Sequence, residues 1–161
     1  MEANKQILII GYGNTSRQDD GIAPEFIKRM EEILRKQNIS NVQLISNSQL
    51  NLEDAHSISE KDIVFFVDAS AENIKDIIIT KVRPIDSGSG YSLHSVSPGF
   101  ILQLCHSLYK KKPAVYLVHV KGYEWEIKEG LSNNAKKNLN SAIELILKLI
   151  IKPEEINNHI N

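Results

Sequence analysis

ILIIG, residues 7–11, is a short apolar run that is rich in β-branched side chains and ends at a glycine. Apolar residues occupy both alternating faces of the run, which is typical of a strand buried on both sides in a parallel sheet. Similar runs recur at residues 63–67 (IVFFV) and 114–120 (AVYLVHV). These three segments predict central, parallel, buried strands, and they decide the fold class.

Helical and further strand patterns fill the intervals between these runs. Apolar residues recur at helical spacing in three segments. The predicted helices are about 21–36, a segment opened by Ser97 as N-cap with Pro98 after it, and about 132–151. Additional strands are predicted at 42–45 and 77–82. Alternation of strands and helices indicates a mostly parallel sheet that is covered on both faces.

The strand at 77–82 is expected to run antiparallel to its neighbours. Only the nine residues 68–76 separate it from the preceding strand, which is short for a right-handed parallel crossover. We therefore predict a three-layer α/β fold, with a mostly parallel five-stranded sheet, helices on both faces and one antiparallel strand. Residues 1–161 form one domain in this interpretation, with 152–161 as a loose tail.

Composition excludes several classes of protein. The 161 residues carry 19 basic and 20 acidic side chains, so the net charge is −1. Nucleic-acid binding normally requires a basic face, and none is indicated. No apolar run approaches the roughly 18 residues of a membrane span. Cys105 is the one cysteine, which fits a reducing compartment. We expect a cytoplasmic monomer without a membrane or nucleic-acid partner.

Two acidic residues and a histidine are placed to meet at one edge of the predicted sheet. Asp20 lies in the loop after the first strand, Asp68 ends the third, and His94 precedes the helix capped by Ser97. Ligands of open α/β sheets bind beyond the carboxyl ends of the strands. Two adjacent carboxylates repel unless a cation lies between them, and imidazole supplies a nitrogen ligand. If the three side chains converge, they form a divalent metal site.

A structural alternative remains for each acidic residue in the first loop. Asp19 or Asp20 would serve equally well as a cap of the following helix, accepting hydrogen bonds from its first N–H groups. Cys105 shares a helical stripe with Ile101, Leu102 and Leu108, which favours a core position over a nucleophile. Of the other histidines, only His119 is placed to approach the same edge.

Four segments, in order, resemble the hydrogenase maturation proteases. GYGNTSRQDDG (11–21) matches the family's Gly-x-Gly-Asn and Arg-x-Asp-Asp/Glu-Gly pattern, and VDAS (67–70) matches its Val-Asp-Ala strand end. SLHSVSPGFILQL (92–104) carries the family's histidine ahead of a helix. GYEWEIKEGLS (122–132) is similar to its glycine and acidic turn before the last helix.

The resemblance implies an endopeptidase that removes the C-terminal extension of a [NiFe]-hydrogenase large-subunit precursor after nickel insertion. Asp20, Asp68 and His94 fall on the family's metal-binding triad, and Asn14, Asp19 and Gly21 fall on the surrounding loop signature. The implied metal is nickel carried by the substrate, with zinc or cadmium as substitutes in vitro. The implied partner is the precursor itself.

Some positions depart from the common family pattern and point to one branch. Ser46-Asn47-Ser48 stands where many members carry an Asp-Gly-Gly-Thr turn, and Gln18 and Ala23 replace common glycines. The following Gln-Leu, the VDAS segment and the Leu-Tyr-x-x-x-Pro segment at 108–113 resemble the branch that serves bidirectional or cofactor-reducing hydrogenases.

Two other functions remain as alternatives. One is a nickel-sensing maturation chaperone that binds the loaded subunit without cutting it. The other is a nucleotide-binding domain that uses the Gly11-Tyr12-Gly13 loop, although Ser16 stands where the third glycine of the dinucleotide fingerprint would fall.

Overall fold

The computed structural model describes residues 4–86 and 96–161. Within them, five strands alternate with four α-helices, and two 3-10 segments cover Gln18–Gly21 and Pro153–His159. The strands are β1 Ile7–Tyr12, β2 Val42–Asn47, β3 Ile63–Ser70, β4 Ile77–Lys81 and β5 Ala114–Lys121. The helices are α1 Ile22–Lys36, α2 Asp54–Ser59, α3 Pro98–Tyr109 and α4 Asn133–Ile151.

The sheet has the strand order β2-β1-β3-β5-β4. Strands β1, β3 and β5 are its three central strands, and all pairs among β2, β1, β3 and β5 are parallel. Strand β4 pairs with β5 in the antiparallel direction. The predicted α/β class, the central position of the three apolar runs and the reversed fourth strand are therefore confirmed.

Helices cover both faces of this sheet, as the apolar runs require. Ile7 and Ile9 pack on one side with α1 and α4, whereas Leu8 and Ile10 pack on the other side with α2 and α3. Because neighbouring residues of a strand point to opposite faces, an apolar residue at every position places one strand in two cores. The same alternation places Asp68 on the face of α2 and α3.

Serine residues cap the two helices that follow the polar loops. The Ser97 hydroxyl accepts a hydrogen bond from the Phe100 N–H at 3.2 Å, and Pro98 occupies the first turn of α3. Ser132 caps α4 in the same way through the Ala135 N–H. Both caps satisfy donors that the helix itself leaves unpaired. No helix in the described part of the chain is long and apolar enough to cross a membrane.

The prediction of a loose tail from residue 152 was wrong. Pro153–His159 forms a 3-10 helix, and Ile156 is buried in the core on the α4 side. Ile160 pairs with Ile79 of the edge strand β4, whose carbonyl accepts the Asn161 N–H at 2.8 Å. The tail is polar in composition, but its two apolar side chains find partners on the sheet, and backbone pairing covers part of an open edge.

The predicted apolar stripe of α3 is shorter than expected. Ile101, Leu102 and Cys105 are buried, but Leu108 in the last turn is 65% exposed. The inward face of the helix therefore ends at Cys105.

Candidate active site

A row of polar side chains lies at the carboxyl edge of the sheet, on the face of α2 and α3. In the parallel pair β3 and β5, Asp68 is in register with His119. Gly11 is in register with Val67, so Tyr12 lies beside Asp68 on the other side. The alternation of strand side chains directs all three to one face. Asp68 is thus the middle member of the row.

Asp68 is held in an environment that disfavours its charge. Burial raises the pKa of its carboxyl to about 7, and the nearby Asp20 charge adds to the rise. Hydrogen bonds from the Tyr12 hydroxyl and the Ala69 N–H oppose it. The 3-10 segment Gln18–Gly21 packs against β3, so Asp20 lies near enough for its charge to act on Asp68 through the poorly screened interior. A cation placed between the two carboxylates would offset both the cost of burying the Asp68 charge and its repulsion from Asp20.

Asp20 reaches this edge from the 3-10 segment that follows β1. Its Oδ2 accepts a hydrogen bond from the Asn14 N–H at 2.7 Å, which folds the loop back on itself. Asn14 Oδ1 in turn accepts from the Ser16 N–H at 2.9 Å. This turn carries the chain from the end of β1 to Asp20 in a few residues and points the carboxylate toward β3.

Gly13 is required for that turn. A Cβ at this position would overlap the backbone carbonyl oxygen of Asp20. The glycine therefore serves a close approach of backbone to backbone and not a phosphate. The Asn14 N–H, which a phosphate would need, is bound by Asp20. Both features weigh against the nucleotide-binding alternative.

Asp19 has a different role from its neighbour. It is fully buried, and its Oδ2 accepts hydrogen bonds from the Tyr123 N–H, the Glu124 N–H and the Ser132 hydroxyl at 2.7, 3.0 and 2.7 Å. Its Oδ1 accepts from the Ser132 N–H at 2.7 Å. Burial would raise the pKa of Asp19, but these hydrogen bonds hold it below its usual value. Asp19 therefore fastens the segment 122–132 to the first loop.

Neither acidic residue is a side-chain cap of α1. Gly21 is the N-cap of that helix, and it makes no side-chain cap hydrogen bond. The capping alternative is therefore wrong for both residues, because the 3-10 segment inserts a turn before α1 and turns both carboxylates elsewhere.

The third predicted ligand, His94, lies outside the described residues. Among residues 4–86 and 96–161, no group of three or more His, Cys, Asp or Glu side chains is arranged to hold a metal ion. Within this part of the chain the structure thus brings together two predicted ligands, Asp20 and Asp68. The assignment of His94 remains a prediction.

Two other reactive side chains are occupied elsewhere. Cys105 is buried in the core below α3, and burial raises the pKa of its thiol. His119 approaches the edge as expected, but its Nε2 forms a hydrogen bond with Thr80 Oγ1 at 2.9 Å. Burial lowers the pKa of His119, with Glu72 opposing that effect. Neither residue offers a prepared nucleophile to the carboxylate pair.

Comparison with known proteins identifies the family. A Methanocaldococcus jannaschii protein assigned as a hydrogenase maturation protease is 30% identical over 156 residues, which cover 92% of this chain and 98% of that protein. The chain belongs to the hydrogenase maturation protease family. It is therefore a peptidase. No family model matches the chain.

Solved structures of maturation proteases share the fold. The [NiFe] hydrogenase maturation protease HycI from Thermococcus kodakarensis superposes with a TM-score of 0.72 at 19% identity, covering 93% of this chain and 95% of its own. The hydrogenase maturating endopeptidase HybD from Escherichia coli gives 0.70 at 17% identity, covering 92% and 93%. The three-layer architecture of this protease is thus that of its family.

The sequence did not reveal two features of the protease site. In the sequence Tyr12 stands out only as part of a glycine-rich loop, and its place beside the end of β3 follows from the register of β1 with β3. The hydrogen bonds that join Asp19 to segment 122–132 could not be predicted from the sequence, because their donors lie more than a hundred residues away along the chain.

Proposed function

We propose that this protease removes the C-terminal extension of a [NiFe]-hydrogenase large-subunit precursor, and that it does so when the precursor carries nickel. Asp20, Asp68 and His94 would supply the ligands that the chain offers to that ion. The observation that supports this proposal is the pair of carboxylates, Asp20 and Asp68, at the carboxyl edge of the sheet, both half-buried and near enough for one charge to act on the other. Two oxygen ligands and one imidazole suit a divalent ion whose remaining ligands come from the substrate.

The chemistry of the site favours a metal-anchored reaction. The only cysteine of the chain is buried in the core, so it offers no thiol nucleophile to the carboxylate pair. A metal held by the substrate polarises a carbonyl or a bound water. In this arrangement Asp20 and Asp68 would bind the ion that the substrate carries. They would thereby fix the scissile bond of the substrate beside the two carboxylates.

Nickel in the precursor should decide whether cleavage occurs. Incubated with the nickel-loaded precursor, the protein is expected to release one short C-terminal peptide, whereas the nickel-free precursor should stay intact. Fixed geometry can contribute roughly 7 kcal/mol to a reaction barrier, so loss of the shared ion should slow cleavage at least about a hundredfold. Mass spectrometry of both precursors over time gives the two rates.

Efficient cutting of the nickel-free precursor would contradict metal anchoring while leaving peptidase activity intact. Tight binding of the loaded precursor without any cleavage would instead favour the chaperone alternative. Restoring nickel to the intact precursor in the same tube serves as the control, because it tests whether that precursor remained a competent substrate.

Cadmium binding to the isolated protein tests His94. Three ligands leave an open site, so we expect weak binding of cadmium, zinc or nickel at high concentration. Calorimetry on wild type and His94→Ala should show a clear loss of cadmium affinity in the variant. His106→Ala is the matched control, since His106 lies on α3 away from the two carboxylates. Equal affinity in wild type and His94→Ala would reject His94 as a ligand.

The proposal also covers the class of hydrogenase that supplies the substrate, the oligomeric state of the protein and its compartment. Gln49-Leu50, the VDAS segment and residues 108–113 support a precursor of a bidirectional or cofactor-reducing hydrogenase as substrate. Leu50 is packed in the core below α2 and α3, and the Ser70 hydroxyl accepts the Glu72 N–H at 3.1 Å. Both positions thus help to shape the edge that a precursor would approach. The setting proposed is a monomer in the cytoplasm.

A further inference from the structure

Tyr12 is built into the sheet in a way that fixes its ring. It ends β1 and points to the face of α2 and α3, where it packs against the apolar cluster below those helices. Its ring meets that of Phe66 edge to face, with centroids 6.5 Å apart and planes at 77°. Phe66 is two residues before Asp68 on the same face of β3. The Tyr12 ring therefore lies along β3, next to the acidic side chain.

The position of the Tyr12 ring places its hydroxyl beside the Asp68 side chain. The register of β1 and β3 places Tyr12 beside Asp68, with its hydroxyl near enough to act on the carboxylate, and burial together with Asp68 raises the pKa of Tyr12. Tyr12 is half-buried, and a tyrosine whose ring packs on a core usually finds a partner for its O–H, here on the neighbouring strand. Tyr12 has only two side-chain torsions, so a packed ring leaves its hydroxyl little freedom.

No other side chain in register with Asp68 takes this role. His119 flanks Asp68 on β5, but its Nε2 is engaged with Thr80 of β4. Among residues 4–86 and 96–161, the other donor that acts on the carboxylate is the Ala69 N–H, which belongs to the adjacent residue and moves with it. Of the two side chains that flank Asp68 in register, Tyr12 is the one whose hydroxyl acts on the carboxylate.

We infer that Tyr12 is a positioning residue, whose hydroxyl holds the Asp68 carboxylate in the orientation that faces Asp20. This inference rests on the proposed function, in which both carboxylates bind the ion brought by the substrate. Groups that hydrogen-bond a metal ligand set its orientation, and their loss typically lowers metal affinity or activity about 10- to 100-fold. Tyr12 itself does not touch the ion or the peptide.

Cadmium calorimetry on the isolated protein tests the inference with Tyr12→Phe. This variant keeps the ring and its packing and removes the hydroxyl. We expect cadmium affinity to fall about 10- to 100-fold, with a similar fall in kcat for the nickel-loaded precursor and little change in KM. Tyr116→Phe is the matched control. Tyr116 is also buried in the sheet but faces α1 and α4, so its removal should leave both quantities unchanged.

A double-mutant cycle separates positioning from a general effect on folding. If Tyr12 acts through Asp68, Tyr12→Phe should lower cadmium affinity in wild type but not in an Asp68→Asn background. Equal losses in both backgrounds, or wild-type affinity and kcat in Tyr12→Phe, would overturn the inference. Thermal unfolding of each variant, measured alongside, identifies a loss that comes from misfolding, and Tyr12→Trp then offers a second ring for the same cycle.

The same experiments distinguish this inference from the proposed function. If Asp68→Asn is inactive and Tyr12→Phe behaves as wild type, the inference fails and the proposed function stands. If Asp68→Asn itself binds cadmium and cleaves as wild type does, the proposed function fails, and the role of Tyr12 fails with it.

Discussion

Asp68→Asn is expected to stop cleavage of the nickel-loaded precursor while leaving the fold intact. Asparagine has the same shape but lacks the charge that the ion would need. Removing one group that stabilises charge at a reacting centre typically slows an enzyme by about 10²–10³-fold. Asp20→Asn should behave in the same way, because Asp20 is the neighbouring carboxylate of the pair.

The thermal stability of Asp68→Asn should equal or exceed that of the wild type, although its activity is lost. Burial and the Asp20 charge already raise the pKa of Asp68 to about 7, so its ionised form does not favour the folded state. Thermal unfolding of Asp68→Asn at neutral pH should therefore begin at or above the wild-type temperature. The exposed Asp76 provides a matched control, since Asp76→Asn should change neither property. Full peptidase activity in Asp68→Asn or Asp20→Asn would refute the metal-anchored mechanism.

Asp19→Asn is expected to cause the largest loss of stability among the acidic residues. The carboxylate accepts four hydrogen bonds from segment 122–132, at both of its oxygens. An amide would place an NH2 group against at least one of these donors and would remove the charge. We expect the free energy of unfolding to fall by about 3 kcal/mol, measured by urea denaturation.

Asp54 is the matched control for that experiment. It is also buried, but in the described part of the chain its carboxylate accepts one hydrogen bond, from the Asn51 N–H, and burial raises its pKa. Asparagine can keep that one bond, so Asp54→Asn should cost less than about 1 kcal/mol. Equal losses of unfolding free energy in the two variants would show that the hydrogen bonds of Asp19 do not hold segment 122–132 against the first loop.

Local patterns were enough for most of the fold. The runs at 7–10, 63–67 and 114–120 are apolar at nearly every position, and such runs are stable only where both faces are covered. The short connection at 68–76 excluded a parallel crossover and predicted the reversal of β4, which the pairing with β5 confirms. Ser97 followed by Pro98 was enough to predict the start of α3, because a cap acts on a donor three residues away.

Two predictions were wrong because they depended on contacts between residues that are distant in the sequence. Residues 152–161 looked loose because they are mostly polar, but Ile156 and Ile160 reach the core and the edge of β4. Asp19 and Asp20 looked equivalent as helix caps because they are adjacent in the chain. A 3-10 turn separates their directions, so one is fully buried under segment 122–132 and the other faces β3.

Residue type and order were therefore sufficient to predict the strands, their directions and the edge where acidic side chains collect. The tertiary structure decided which carboxylate meets which partner. Asp19 meets Ser132 across 113 positions of sequence, and Asp68 meets Tyr12 through the register of β1 and β3. Such contacts depend on how whole elements pack, because each one exists only after strands distant in sequence have been aligned. Periodicity within a single segment shows which face a side chain occupies, but it does not identify the distant residue that the side chain meets.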